Sequence, residues 1–220
     1  MKTAVITGAN RGIGLALAKE YLAQDWNVIA ICRSASDELL ATKAKIISGI
    51  DVTDAGAVAS LPGLLNDTTI DLLINNAGIF QNESLGSIDY SSIAQQFVVN
   101  AEAPLRVTET LLDQLAPNAK IAFITSRMGS IADNTSGAYY GYRMSKAALN
   151  AAAMSLTRDL KPRGIAIAIL HPGYVQTAMV NFGGDITPNE SARGLSQRIA
   201  ELTLENSGGF WHSNGTQLPW

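Results

Sequence analysis

Disulfide chemistry is closed to this chain, because Cys32 is its one cysteine and has no internal partner. Charge is sparse as well. Charged residues make up 16% of the 220 residues and the net charge is -3, so no nucleic-acid surface is expected. Long hydrophobic runs are missing. The longest fully aliphatic stretch, Ile165 to Leu170, falls far short of the ~18 to 20 residues needed to cross a bilayer. The first residues enter a strand-like run without a signal-peptide pattern, so a reducing cytoplasm is expected. Repeats, low-complexity segments and linkers are also lacking. What is present is a chain with 47% hydrophobic residues and 19 glycines, composed for one compact domain over residues 1–220 with many tight turns.

Short β-branched or aliphatic runs recur at Thr3 to Thr7, Asn27 to Ile31, Lys45 to Ile50, Ile70 to Asn75, Lys120 to Thr125 and Ile165 to Leu170. Each reads as a buried strand. Between them, helical spacing occupies Gly12 to Gln24, Ser36 to Ala41, Asp54 to Leu61, Ser91 to Leu115 and Gly141 to Leu160. A last helix over Pro188 to Glu205 opens with Thr187 as N-cap and Pro188 at its first position. Gly208 to Trp220 reads as an irregular aromatic tail. Strictly alternating strands and helices require right-handed crossovers and a parallel sheet covered on both faces, the doubly wound α/β (Rossmann) architecture. Ligands of such a fold bind beyond the C-terminal ends of the strands.

Directly after the first strand comes Thr7-Gly8-Ala9-Asn10-Arg11-Gly12-Ile13-Gly14, a glycine-rich turn feeding a helix. Unpaired N–H groups and the helix dipole favour an anion there, and glycines admit a pyrophosphate close to the backbone. The glycine spacing differs from the G-x-G-x-x-G dinucleotide pattern.

Further along, Tyr142 and Lys146 stand four residues apart in a predicted helix, which puts a phenol beside an ammonium. Two unit charges about 4 Å apart interact by about 4 kcal/mol at an effective dielectric of about 20, worth about three pKa units. In open water about a quarter of that survives, so the pair matters chemically only inside a cleft. Asn100 precedes Pro104 by four residues in another predicted helix. Proline has no N–H, so the Asn100 carbonyl loses its helical partner and is free to hold a water.

These motifs together resemble the short-chain dehydrogenase/reductase family over nearly the whole chain. The T-G-x-x-x-G-x-G turn is Thr7 to Gly14, N-N-A-G is Asn75 to Gly78, the helix asparagine is Asn100, and S-x-x-G is Ser126 to Gly129. Tyr-x-x-x-Lys is Tyr142 and Lys146, followed by Pro172-Gly173 and Thr177. The resemblance implies an enzyme in which Tyr142 donates a proton to a carbonyl oxygen held by Ser126, while a nicotinamide delivers hydride to the carbon. Lys146 would lower the tyrosine pKa and hold the nicotinamide ribose, and Asn100 would hold a water linking the lysine to solvent. Cofactor contacts are expected from Gly8, Asn10, Arg11, Gly12, Ile13, Gly14, Arg33, Asp51, Val52, Asn75, Ala77, Gly78, Tyr142, Lys146, Pro172, Gly173, Val175 and Thr177. No metal ligands are expected. His171 reads as a turn histidine.

Cys32 fills the second-strand position where an acidic residue would bind adenosine ribose hydroxyls, and Arg33 follows with a fork suited to a 2′-phosphate. Arg11 adds a second cation. NADPH/NADP is therefore favoured over NADH. Asp51 resembles the adenine-contacting residue of the family, although Asp51-Val52-Thr53 also fits a helix-capping turn.

Within the family, the ending Gly208 to Trp220 and the run Tyr142 to Lys146 resemble the C-factor and sniffer-type carbonyl reductases, which implies small-molecule aldehydes or reactive ketones as substrates. The stretch Ala178 to Ile186 forms a short lid, and the Ser126 to Tyr142 interval is longer than the family's usual one. The helices over Ser91 to Leu115 and Gly141 to Leu160 commonly form dimer faces in relatives, so a homodimer or homotetramer is expected. Two alternatives stand beside carbonyl reduction: a non-catalytic NADP-binding redox sensor, and an alcohol dehydrogenase working in the oxidative direction. The intact Asn-Ser-Tyr-Lys set favours an enzyme over the sensor.

Overall fold

The computed structural model describes residues 1–66 and 68–220. Among these residues seven strands form one sheet: β1 Thr3–Thr7, β2 Asn27–Ile31, β3 Lys45–Ile47, β4 Ile70–Asn75, β5 Leu115–Ile124, β6 Ala166–His171 and β7 Phe210–His212. All neighbours pair in parallel, in the order β3-β2-β1-β4-β5-β6-β7. The chain therefore builds outward from β1 in one direction, then returns to β1 and builds in the other. That reversal opens a crevice beyond the C-terminal ends of β1 and β4.

Side chains alternate between two apolar layers, as a sheet covered on both faces requires. Val5, Leu73, Ile121 and Phe123 enter one layer, with Val107, Leu149, Ala153 and Leu160. Ala4, Ile6, Leu72, Ile74 and Ala122 enter the other, with Leu15, Leu17, Tyr21, Leu195 and Ile199. The helices that supply these residues are α1 Gly12–Ala23 and α8 Pro188–Ala200 on one face, and α6 Ala103–Thr110 and α7 Tyr140–Leu160 on the other. Helices α2 Asp37–Leu40, α3 Ala55–Ala59, α4 Leu61–Leu65 and α5 Tyr90–Phe97 complete the set. Thr187 caps α8 through a reciprocal box with Glu190, with Pro188 in the first turn.

Several sequence expectations need correction. The helix expected over Ser91 to Leu115 is interrupted: α5 ends at Phe97, a wider π turn spans Val98–Glu102, and α6 ends at Thr110. Pro104 removes one N–H from the ladder, and the chain answers by widening one turn. Gly208 to Trp220 is not wholly irregular, because Phe210–His212 adds the edge strand β7 and buries Phe210. Helix α8 stops at Ala200, well before Glu205.

Candidate active site

The turn between β1 and α1 is fastened from across the switch point. Asn76 donates through Nδ2 to the carbonyls of Thr7 and Gly8, both at 3.1 Å. The Thr7 hydroxyl accepts from the backbone N–H of Asn76 at 3.1 Å and of Ala77 at 3.2 Å. Gly14 is a glycine because a Cβ there would lie 2.3 Å from the Gly8 oxygen and 2.5 Å from Asn76 Nδ2. Helix α1 has no side-chain cap and no acidic residue in its first turn, so its leading N–H groups remain available to an anion. Thr177 closes the far side: its methyl carbon stands 3.3 Å from where a Gly12 Cβ would be.

Asn76 and Thr7 are structurally central yet fall outside the expected contact residues. Asn75, which is among them, turns its buried amide toward α6 and donates to Thr108 Oγ1 at 3.0 Å. Asn76→Ala is expected to destabilise the fold by about 1–3 kcal/mol, the usual consequence of stranding part-buried acceptors, as read by urea denaturation.

Beside the turn, Cys32 is buried and Arg33 is exposed. The Arg33 guanidinium lies 4.0 Å from the Asp51 carboxylate. Asp51 accepts from the N–H and hydroxyl of Thr53, and these bonds, with a smaller contribution from Arg33, hold its carboxyl below the usual range. Asp54, not Asp51, caps α3. Ser36 donates to the Asn10 carbonyl at 2.6 Å and ties the loop after β2 to the glycine turn. Arg11 is exposed on the same turn.

On the other side of the crevice, α7 carries Tyr142 and Lys146. Ser126, two residues beyond β5, accepts from Met128 N–H at 3.1 Å and lies near enough to Tyr142 to pull the phenol's pKa down. The Ser126 loop lies hard against α7, since a Cβ on Gly129 would approach the Lys146 carbonyl carbon to 2.8 Å. Arg143 holds the long Ser126 to Tyr142 loop by donating to the carbonyls of Gly137, Ala138 and Met128 and to the Ser136 hydroxyl.

Lys146 Nζ donates to the Ile124 carbonyl at 2.9 Å and sits 5.8 Å from the centre of the Tyr142 ring. The spacing thus places the ammonium over the tyrosine ring, but desolvation governs both groups, Lys146 being buried and Tyr142 half-buried. Desolvation pushes Tyr142 up to about 12, against a smaller downward pull from the neighbouring Ser126 side chain. Desolvation brings Lys146 down to about 8. The depressed tyrosine pKa expected from the pair is therefore not found in the protein alone.

Asn100 is fully buried in the π turn. Its amide donates to the Ile79 carbonyl at 2.9 Å and to Ser145 Oγ at 3.0 Å, and its oxygen accepts from Ile79 N–H at 2.8 Å. Asn100 and Lys146 converge on Gly78, where a Cβ would stand 3.1 Å from Asn100 Oδ1 and 3.7 Å from Lys146 Nζ. Phe80 was invisible as a site residue in the sequence. Its ring meets Tyr142 edge-on at 4.9 Å and stacks on Tyr139 at 5.6 Å. The one available signal was an aromatic directly after Asn75-Asn-Ala-Gly-Ile79.

Pro172 and Gly173 follow β6, with the Pro172 carbonyl accepting from the hydroxyls of Ser191 and Ser213. Val175 pairs with Ile186, which draws the short lid back onto itself and leaves Tyr174, Met179 and Phe182 exposed. His171 stands at the end of β6 against His212, at 4.7 Å between rings. Burial, then the neighbouring His212 and Arg127, brings His171 down to about 3, so its imidazole is neutral.

Known proteins match this chain over most of its length. Residues 2–185 match the short chain dehydrogenase family. The 1-hydroxy-2-glutathionyl-2-methyl-3-butene dehydrogenase of Rhodococcus sp. (strain AD45) is 37% identical over 226 residues, covering 100% of both chains. The C-signal protein of Myxococcus xanthus is 46% identical over 154 residues, covering 69% of this chain and 93% of its own. Among solved structures, the NADPH-bound carbonyl reductase from chicken fatty liver superposes with a TM-score of 0.89 at 30% identity, covering 100% of this chain and 99% of its own. The carbonyl reductase Sniffer of D. melanogaster does so with a TM-score of 0.90 at 30% identity, covering 100% of each.

Proposed function

This chain belongs to the short chain dehydrogenase family, and from that premise we propose that it reduces an aldehyde or ketone to an alcohol with NADPH, using Tyr142 as the proton donor. The observation that carries this reading is the grouping of Ser126, Tyr142 and Lys146 at the crevice, with the ammonium of the buried Lys146 over the Tyr142 ring and Ser126 beside the phenol.

The residues fit a dinucleotide. The turn Gly8 to Gly14, folded tightly by glycines against Ala77, Asn76 and Thr177, leads into the uncapped start of α1, which suits a pyrophosphate. Arg33 and Arg11 are exposed beside the end of β2, within the region a 2′-phosphate would take, and Asp51 with Val52 borders the adenine side. The backbone at Ala77 and Gly78, with Lys146 and Tyr142, would hold the nicotinamide ribose, and Pro172, Gly173, Val175 and Thr177 the nicotinamide end. When bound, NADPH supplies the hydride.

The protein's own part is proton chemistry and positioning. Ser126 fixes the carbonyl oxygen by a hydrogen bond, and the Tyr142 hydroxyl hands it a proton as negative charge develops there. With its pKa raised to about 12, Tyr142 holds its proton at neutral pH, as a proton donor must. The Lys146 ammonium then restores the tyrosine proton, drawing on solvent by way of a water at the Asn100 carbonyl. Exposed Tyr90, Phe97 and Leu105 on α5 and α6 support self-association across that face as a homodimer.

The reading is tested by NADPH oxidation at 340 nm with a panel of aldehydes and ketones, alongside a Tyr142→Phe control. Cofactor choice has its own test. Arg33→Ala is expected to raise KM for NADPH about tenfold, as the loss of a charge-assisted bond to phosphate implies, and to leave the NADH value nearly unchanged. Equal loss with both cofactors would remove Arg33 from the 2′-phosphate site.

A further inference from the structure

Among the described residues, Glu83 and Lys146 are the two charged side chains that are buried. Lys146 belongs to the crevice. Glu83 lies on the segment after Gly78, and the chemistry above gives it no part.

Its carboxylate is fully engaged at the start of α7. One oxygen accepts from the Ser92 hydroxyl at 2.7 Å and from Gln96 Nε2 at 2.6 Å. The other accepts from the backbone N–H of Gly141 at 3.1 Å, across 58 residues of sequence. The Glu83 carbonyl also accepts from Tyr139 N–H at 2.9 Å. Helix α7 needs such a partner, because its N-cap residue Tyr139 has a left-handed backbone (φ 55°) and makes no side-chain cap bond. A negative group at a helix N-terminus satisfies leading N–H groups and complements the helix dipole. Gly141 leaves room for this arrangement: a Cβ there would fall 2.5 Å from Gln96 Nε2 and 3.0 Å from the Glu83 carboxylate.

The residue after Gly141 is Tyr142. The same segment is fastened at Ile79 by Asn100 and at Gln81 by Gln96, whose oxygen accepts from Gln81 N–H at 3.0 Å. Phe80, between those two clasps, packs edge-on against the Tyr142 ring. The segment after Gly78 and the start of the helix are therefore held to each other at Glu83, by its carboxylate at Gly141 and its carbonyl at Tyr139.

We propose that Glu83 is a positioning residue for Tyr142: by anchoring the first turn of α7 it sets where the phenol stands relative to Ser126. The inference rests on the reading of Tyr142 as proton donor. A displacement of about 1 Å at a reacting group can lower a rate about a hundredfold, so a loosened first turn has a kinetic signature.

The test compares full-length wild type, Glu83→Gln and Glu83→Ala. Turnover of an aromatic aldehyde with NADPH is normalised to cofactor sites counted by NADPH fluorescence, and deuterium exchange is followed over Tyr140 to Arg143. In Glu83→Ala, kcat per NADPH site is expected to fall at least about tenfold with the NADPH Kd changed less than about threefold, while exchange at Gly141 accelerates. Glu83→Gln keeps the side-chain shape and one acceptor oxygen, and should recover part of the rate. Loss of NADPH sites with unchanged kcat per site would make Glu83 merely structural and overturn the proposal. Unchanged exchange at Gly141 would overturn it as well. Where Glu83→Ala does not fold, Glu83→Gln decides: a wild-type kcat with wild-type exchange refutes the role. A wild type that reduces no carbonyl would instead refute the proposed reaction, and the exchange comparison would still decide whether Glu83 anchors the helix.

Discussion

Tyr142→Phe should lower kcat for carbonyl reduction by about 10²–10⁴-fold, the range that a positioned general acid contributes. Affinity for NADPH should fall by no more than about tenfold, because the substitution takes one hydroxyl away from the nicotinamide ribose and leaves the ring against Phe80. Stability should change by no more than about 1 kcal/mol, since the substitution removes one hydroxyl and keeps the ring. That combination separates chemistry from folding. A variant that binds NADPH, melts like wild type and still turns over a carbonyl at the wild-type rate would overturn Tyr142 as the acid. The measurement is stopped-flow or steady-state loss of NADPH absorbance with saturating aldehyde, run beside a thermal melt.

Much of the fold could be read from the chain because buried parallel strands announce themselves. Thr3–Thr7, Asn27–Ile31 and Ile70–Asn75 match their expected limits, each being a short β-branched or aliphatic run bounded by turn residues. Strand β7 escaped notice because three edge residues are too few to establish a period. The π turn escaped for a different reason. Pro104 reveals that one N–H is missing, but whether a helix kinks or widens there depends on what packs around it, and here Asn100 is drawn inward to clasp Ile79.

The site divides along the same line. Glycine spacing and Tyr-x-x-x-Lys are local patterns, and both arrive where they were expected. Asn76 and Glu83 act on partners about 60 residues away or more, at Thr7 and Gly8 and at Gly141, and no local pattern announces such a bond. Nor does spacing state how deeply a pair is buried. For Tyr142 and Lys146 desolvation is the larger effect, which is why the tyrosine pKa goes up where proximity alone argued for down.

That burial makes Lys146→Met a sharp prediction, because activity and stability should move in opposite directions. Lys146 is charged in the unfolded chain up to its usual 10.5, but in the folded protein only to about 8. Between those values the unfolded state binds more protons, so stability rises with pH across that window. Below about pH 8 both states carry the ammonium, and the folded state bears the whole desolvation cost, about 3 kcal/mol from the separation of the two pKa values. Methionine removes that cost and fills similar space. It also strands the Ile124 carbonyl, which now accepts from Lys146 Nζ, at a cost of about 1–3 kcal/mol. The net expectation at pH 7 is a gain of about 1 kcal/mol, visible as a Tm raised by about 2–4 °C. The gain should shrink as pH rises through about 8 toward 10.5, since wild type sheds the same cost there by releasing its proton. Turnover should fall by at least about a hundredfold, through lost proton supply to Tyr142 and lost hold on the nicotinamide ribose. Melting curves from pH 6.5 to 9.5 together with NADPH turnover decide it. A variant that is less stable at pH 7 than at pH 9 relative to wild type would show that the ammonium is not the burden its burial implies, and a variant that retains full turnover would remove Lys146 from the reaction.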